Sequence, residues 1–217
     1  MSFGLSRGRT LDVGEVGIDM RTLPSCDEGR IDPQKWFKEE SQPLEIEIGS
    51  GKGTFLLQQS ELQPETNFLG FEWAAEFYRY GADRLRRNGR KSVRMMYGDA
   101  TEFLKYWCED SVAEVIHLYF SDPWPKNRHH KRRVIQDETL KTFHRILKPN
   151  GELRIVTDHH ELWEWCELHI DRHPHLFVRK EFDTVDSAGE GELTGTNFER
   201  KYRREGRPFH SVTVCRV

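Results

Sequence analysis

The sequence predicts an α/β protein: a mostly parallel sheet of seven strands with helices on both faces, ending in an antiparallel hairpin. Three observations predict it. Apolar strand-like runs alternate with helical ones from residue 44 almost to the end, which is the pattern of βαβ units. The strands are apolar, as strands covered on both faces are. The last two strand-like runs are joined by a long polar loop, residues 186–207, with no obvious helix, so they pair as a hairpin. A length of 217 residues fits one domain with an appendage.

The elements follow in order. Residues 1–31 are glycine-containing, show little apolar periodicity, and are expected to form a flexible N-terminal arm; residues 32–217 are the folded domain. Asp32-Pro33 offers an N-cap and a proline at the first helical position, predicting a short helix to about Glu40. Strands are expected over 44–48, 67–72, 92–97, 115–120 and 152–157. Helices are expected over 54–62, 74–88, 101–107, 134–147 and 162–169. Pro149-Asn150-Gly151 stops the fourth of these helices. Strand-like segments 176–182 and 209–217 complete the sheet. Right-handed crossovers place every β-to-α loop at one edge, where such sheets bind ligands.

Composition narrows the function classes. Charged residues make up 32% of the chain, and no apolar run approaches the ~18 residues of a membrane span. The first residues lack the apolar core of a secretory signal. Cys26, Cys108, Cys166 and Cys215 are scattered without metal or redox spacing, which predicts buried thiols in a reducing, cytoplasmic setting. The net charge of −3 conceals three basic clusters. These are Arg84, Arg86, Arg87, Arg90, Lys91 and Arg94; then Lys126, Arg128, Lys131, Arg132 and Arg133; then Arg200, Lys201, Arg203, Arg204 and Arg207. Each alone is a solvated face, but together they favour a polyanionic partner.

Four strand-end loops carry chemistry. The first is Glu47-Ile48-Gly49-Ser50-Gly51-Lys52-Gly53, whose glycines tolerate positive φ and let a ligand approach the backbone. It fits neither a phosphate loop nor the G-x-G-x-x-G fingerprint. Glu47 would repel a pyrophosphate and attract an ammonium group. Taken alone, this segment is either a nucleotide-type site or a tight turn. Glu72, about twenty residues beyond the glycines, is placed to accept from ribose hydroxyls or to cap a helix. Asp99, followed by Ala100, can accept from an adenine amino group and also cap the next helix. Together the three acids describe a pocket for adenosine plus an ammonium group, which is S-adenosylmethionine. The fourth loop, Asp122-Pro123-Trp124-Pro125-Lys126, is stiffened by its prolines. Asp122 can accept from the Watson–Crick edge of guanine. Trp124 either stacks on a base or plugs the core edge. Lys126 and the arginines after it would meet phosphates.

Asp122-Pro-Trp-Pro-Lys126, followed by Arg128-His129-x-Lys131-Arg132-Arg133, resembles the signature of the bacterial single-chain tRNA (guanine-N7-)-methyltransferases. The similarity runs from about Leu44 to the C-terminus and includes Thr157-Asp158 and Thr196-Asn197-Phe198-Glu199. It implies a Rossmann-like class I methyltransferase fold. It also implies S-adenosylmethionine as methyl donor, S-adenosylhomocysteine as product, and the variable-loop guanine of tRNA, position 46, as target. Carried over by position, Glu47, Glu72, Asp99 and Asp122 correspond to the donor site, to which the loop reading adds Gly49, Gly51, Gly53 and Ala100. Lys126, Asp158, Thr196, Asn197, Phe198 and Glu199 correspond to substrate-binding positions, to which the basic run adds Arg128, Lys131 and Arg132, and Asp122 is the candidate catalytic residue. Ser121, Asn197 and Leu162 depart from the family's usual Pro, Lys and aromatic. The alternatives are a nicotinamide-dependent oxidoreductase and an RNA-binding module without catalysis. No metal or membrane is expected; ten histidines are expected at the surface. The protein is expected to be a monomer or homodimer.

Overall fold

A computed structural model describes residues 10–217, so the first nine residues of the expected arm lie outside the described residues. The sheet has eight strands in the order β1-β4-β3-β2-β5-β6-β8-β7. They are β1 (Gly17–Asp19), β2 (Leu44–Ile48), β3 (Asn67–Glu72), β4 (Val93–Tyr97), β5 (Ala113–Tyr119), β6 (Leu147–Thr157), β7 (Phe177–Lys180) and β8 (His210–Arg216). The first six are parallel to one another, and β8 runs antiparallel between β6 and β7. Helices α1 (Thr54–Leu62), α2 (Ala75–Arg87), α3 (Ala100–Tyr106), α4 (Asp137–Ile146) and α5 (His160–Asp171) follow strands β2 to β6, and α6 (Asn197–Arg204) precedes β8.

Two apolar clusters sandwich the sheet. One gathers Leu44, Ile46, Phe71, Phe103, Ile116, Phe143 and Leu153; the other gathers Phe55, Leu56, Phe68, Leu85, Met95 and Val156. Burial on both faces is what the parallel strands required. Gly70 lets α1 come close, since a Cβ there would stand 2.4 Å from both Leu56 and Ser50.

The structure departs from the sequence expectation at four places. An eighth strand, β1, pairs with β4, so the chain from residue 13 onward is attached where a flexible arm was expected. Val16 is buried, Arg86 Nε donates to the Asp12 carbonyl at 2.8 Å and Trp107 Nε1 to the Pro24 carbonyl at 2.8 Å. Three residues, the first of them a glycine, are too short for a periodic signal. Asp32 does cap, accepting from Gln34 N–H at 3.0 Å, but the helix it opens is a single 3-10 turn, Pro33–Trp36. Pro149-Asn150-Gly151 lies within β6 rather than before it, with Asn150 at φ 64°. The polar loop holds α6, whose sequence NFERKYRR offers only Phe198 and Tyr202 as an apolar stripe, too short a signal in a loop otherwise polar.

Candidate active site

The crossover order puts a topological switch point between β2 and β5, because the chain runs outward from β2 through β3 and β4 before returning to β5. A crevice at the carboxyl ends of the strands is the expected ligand position in such sheets. Five acids end five adjacent strands there: Asp99 after β4, Glu72 on β3, Glu47 on β2, Asp122 after β5 and Asp158 after β6.

Glu47 is 5% exposed, and its Oε2 finds no hydrogen-bond partner among the described residues. Burial pushes its carboxyl up to about 8; the Ser50 hydroxyl opposes the rise and the charge of Glu72 adds to it. Leaving a buried acceptor unpaired costs ~1–3 kcal/mol, so a group that supplies a cation here is favoured. Beside it the loop has Gly49, Gly51 and Gly53 at φ 83°, 53° and 65°. The loop is tied to β3 by Gly49 and Ser50 N–H donating to the Phe71 carbonyl at 2.9 and 2.8 Å. A Cβ on Gly49 would meet nothing within 4 Å, so that face of the loop is open.

Glu72 serves the loop as well as the crevice. Its Oε2 accepts from Gly51 N–H and its Oε1 from Ala74 N–H, both at 2.8 Å. Burial raises its pKa, the two N–H groups pull it down, and the charge of Asp122 raises it further. Each oxygen keeps a second lone pair for a hydroxyl donor. Asp99 caps α3 through Oδ1, accepting from Thr101 and Glu102 N–H at 2.8 and 3.2 Å. Ala100 opens α3 with its side chain buried. Trp73, directly after Glu72, is 67% exposed. The sequence reading passed over it, although an exposed aromatic beside a strand-end acid is itself a signal for a planar ligand.

The Asp122 loop is held by a residue expected to meet phosphate. Arg133 is 2% exposed. Its Nε donates to the Pro123 carbonyl at 2.9 Å, its Nη2 pairs with Glu161 at 2.6 Å, and its guanidinium covers the Trp165 ring at 5.0 Å from the centroid. Trp124 adopts φ 43°, a strained value for a bulky residue. Its ring packs under Arg132 at 4.9 Å and edge-on to His129 at 5.8 Å. Lys126, Arg128, Lys131 and Arg132 are exposed around it.

The C-terminal motif divides. Thr196 caps α6 by accepting from Glu199 N–H at 3.1 Å, and Phe198 is 46% exposed. Glu199, expected at the substrate, is instead 0% exposed. It accepts from the N–H groups of Leu193, Thr194 and Gly195 and from Arg203 at 2.6–3.0 Å. Burial alone would raise its pKa; these donors hold it below the usual carboxylate range. Its role is to knot the 193–196 turn. Asp158 pairs with Arg207 at 2.7 Å, and Arg207 lies 4.1 Å from the Tyr202 ring centroid.

The histidines also correct the expectation. His117, His169 and His173 are buried, and His117 bridges Glu45 at 2.8 Å and the Tyr119 hydroxyl at 2.7 Å beneath the crevice strands. Among the described residues no group of three or more His, Cys, Asp or Glu could hold a metal, and no helix is long and apolar enough to cross a membrane.

A family model described as "Putative methyltransferase" matches residues 41–212. A tRNA (guanine-N(7)-)-methyltransferase of Enterococcus faecalis is 32% identical over 186 residues, 83% of this chain and 86% of its own. One of Rhodopirellula baltica is 37% identical over 177 residues, 79% of this chain and 65% of its own. The chain belongs to the tRNA (guanine-N7-)-methyltransferase family. Solved structures agree on the fold of the family member described here. The aminoglycoside resistance methyltransferase NpmB1 superposes with TM-score 0.54 at 18% identity, covering 81% of this chain and 87% of its own. A SAM dependent methyltransferase of Aquifex aeolicus does so with TM-score 0.52 at 14% identity, covering 81% and 82%. The family is one of methyltransferases, which sets aside the nicotinamide alternative.

Proposed function

We propose that this family member transfers the methyl group of S-adenosylmethionine to N7 of the variable-loop guanine in tRNA, in the crevice flanked by Glu47 and Asp122. The observation that carries the reading is Glu47: a buried carboxylate with an unpartnered oxygen, beside an open glycine loop at the switch point of the sheet. S-adenosylmethionine supplies an electrophilic methyl on a sulfonium. Glu47 takes its ammonium group, Glu72 its ribose hydroxyls, and Asp99 its adenine amino group, with Trp73 offering a stacking face. Gly49, Gly51 and Gly53 let the ligand lie against the backbone.

Guanine N7 has a lone pair and no proton to lose, so no general base is required. The protein's task is alignment, potentially worth ~7–11 kcal/mol of barrier, and compensation of the positive charge that develops on the purine. Asp122 does both by accepting from the guanine N1–H and exocyclic amine. Lys126, Arg128, Lys131 and Arg132 hold the phosphates around the target. Asp158 becomes available to the substrate when Arg207 turns from it to a phosphate.

The test is labelled methyl transfer to bulk unmodified tRNA, followed by borohydride/aniline cleavage, which reports 7-methylguanosine. Wild type gives cleavage at the variable loop. Asp122→Ala retains S-adenosylhomocysteine binding and loses at least ~100-fold in turnover, in line with removal of one charge-stabilising group. A transcript carrying 7-deazaguanine at the target accepts no methyl. Full turnover by Asp122→Ala, or label at a different atom, contradicts the proposal.

A further inference from the structure

The C-terminal segment is tied to the far end of α1 by Ser187 N–H donating to Gln59 and by Gln63 donating to Asp186, and at the glycine-loop end it makes one further hydrogen bond. Asn197, the first residue of α6, donates from Nδ2 to Thr54 Oγ1 at 2.7 Å, across 143 positions of sequence. Thr54 is the first residue of α1, directly behind Gly53 of the glycine loop. Arg84 Nη1 donates to the same hydroxyl at 3.0 Å. One residue further along α6, the Phe198 ring lies 4.0 Å from where a Cβ on Gly51 would stand. The remainder of α6 carries Lys201 and Arg204, both exposed. A single helix therefore rests its first turn on the donor loop and presents basic residues beyond it.

The loop it rests on is held through its backbone, by Gly49 and Ser50 N–H to the Phe71 carbonyl and Gly51 N–H to Glu72. Its three glycines at positive φ leave room for a ligand against that backbone. A ligand held against the loop constrains the start of α1 with it. Through Thr54 Oγ1 the same constraint reaches α6. The Glu199 knot makes the turn ahead of α6 stiff enough to pass that constraint on, because five of its contacts converge on one buried carboxylate.

We propose that Asn197 is a positioning residue that couples the two sites: methyl-donor binding strengthens tRNA binding through the Asn197–Thr54 hydrogen bond. The proposal rests on the function assigned above and deepens it. Linkage makes the coupling reciprocal, so tRNA tightens the donor by the same factor. With one hydrogen bond as the transmitter, the expected coupling is about 3- to 10-fold.

The experiment measures the Kd of an unmodified tRNA transcript with and without saturating S-adenosylhomocysteine. It compares wild type with Asn197→Ala, Thr54→Val and Thr54→Ser. Wild type binds tRNA about 3- to 10-fold more tightly when the donor site is filled. Asn197→Ala and Thr54→Val bring that ratio to about one, and Thr54→Ser, which keeps the hydroxyl, restores it. Asn197 is exposed, so its replacement leaves the melting temperature near wild type. A wild-type ratio of one overturns the proposal. So does an equal loss of tRNA affinity with and without S-adenosylhomocysteine, which would make Asn197 a direct RNA contact. Absence of methyl transfer by wild type would instead defeat the proposed function, so the two failures are told apart.

Discussion

Residues 84–94 and 126–133 are alike on paper, with six basic residues in one and five in the other, yet the fold spends them differently. In the first run the guanidiniums are engaged within the protein. Arg86 and Arg87 hold Asp83, which is 2% exposed; Arg90 holds Glu61 at 2.7 Å; Arg84 reaches Thr54; Arg94 donates to the Lys91 and Val93 carbonyls and covers Phe37. In the second run only Arg133 turns inward, and Lys126, Arg128, Lys131 and Arg132 stay exposed. The difference lies in the acids nearby. A helix with Asp83 three and four residues before two arginines, packed on an N-terminal segment, gives its cations partners. A short 3-10 segment, Asn127–Arg132, contains no acid of its own. A basic run thus keeps its cations exposed where the fold denies it carboxylates.

Breaking the tether inside the second run has the largest expected effect on the protein itself. Arg133→Ala removes two hydrogen bonds and leaves the Pro123 carbonyl unpaired, costing about 2–4 kcal/mol in chemical denaturation together with a fall in turnover. Arg132→Ala, one residue away, stays within about 0.5 kcal/mol of wild type. Equal losses for both would erase the division drawn within this run.

Arg86→Ala combined with Arg87→Ala uncovers the buried Asp83 carboxylate and costs about 1–3 kcal/mol of stability. The salt dependence of tRNA binding should not change. A shallower salt slope in this double variant would place the first run on the RNA and contradict the comparison.

The converse variant, with Lys126, Arg128 and Lys131 all changed to Ala, keeps stability within about 0.5 kcal/mol. Its plot of log affinity against log salt should flatten by about 2–3, close to one per lost phosphate contact. An unchanged slope would move the RNA surface elsewhere.

Most of the fold was legible because strand and helix periods alternate cleanly between residues 44 and 177, and crossover handedness puts the β-to-α loops at one edge. The strand-end acids were legible for the same reason: Glu47, Glu72, Asp99 and Asp122 each follow a recognisable apolar run and do gather at one edge. What escaped was decided by tertiary partners. β1 exists because β4 offers it an edge. α6 exists because Thr196 and Glu199 cap and knot its start and Tyr202 packs against Phe120. Glu199 and Arg133 look like substrate residues in a motif, and only burial reveals that each satisfies backbone instead. The inward run at 84–94 left one readable trace, the spacing of Asp83 from Arg86 and Arg87.

The claim that all of this serves is that Glu47 receives the cationic end of a bound nucleoside. In the free protein its carboxyl is pushed up to about 8 by burial, so it is mainly protonated at pH 7. An ammonium group favours the carboxylate and lowers that value, so binding below pH 8 must release a proton. Titration calorimetry of S-adenosylhomocysteine from pH 6 to pH 8.5, in buffers of different ionisation enthalpy, measures this directly. The account predicts affinity rising with pH and levelling near 8, with proton release at pH 7, and both effects absent in Glu47→Gln. Affinity independent of pH in wild type, or the same pH dependence in Glu47→Gln, would contradict it.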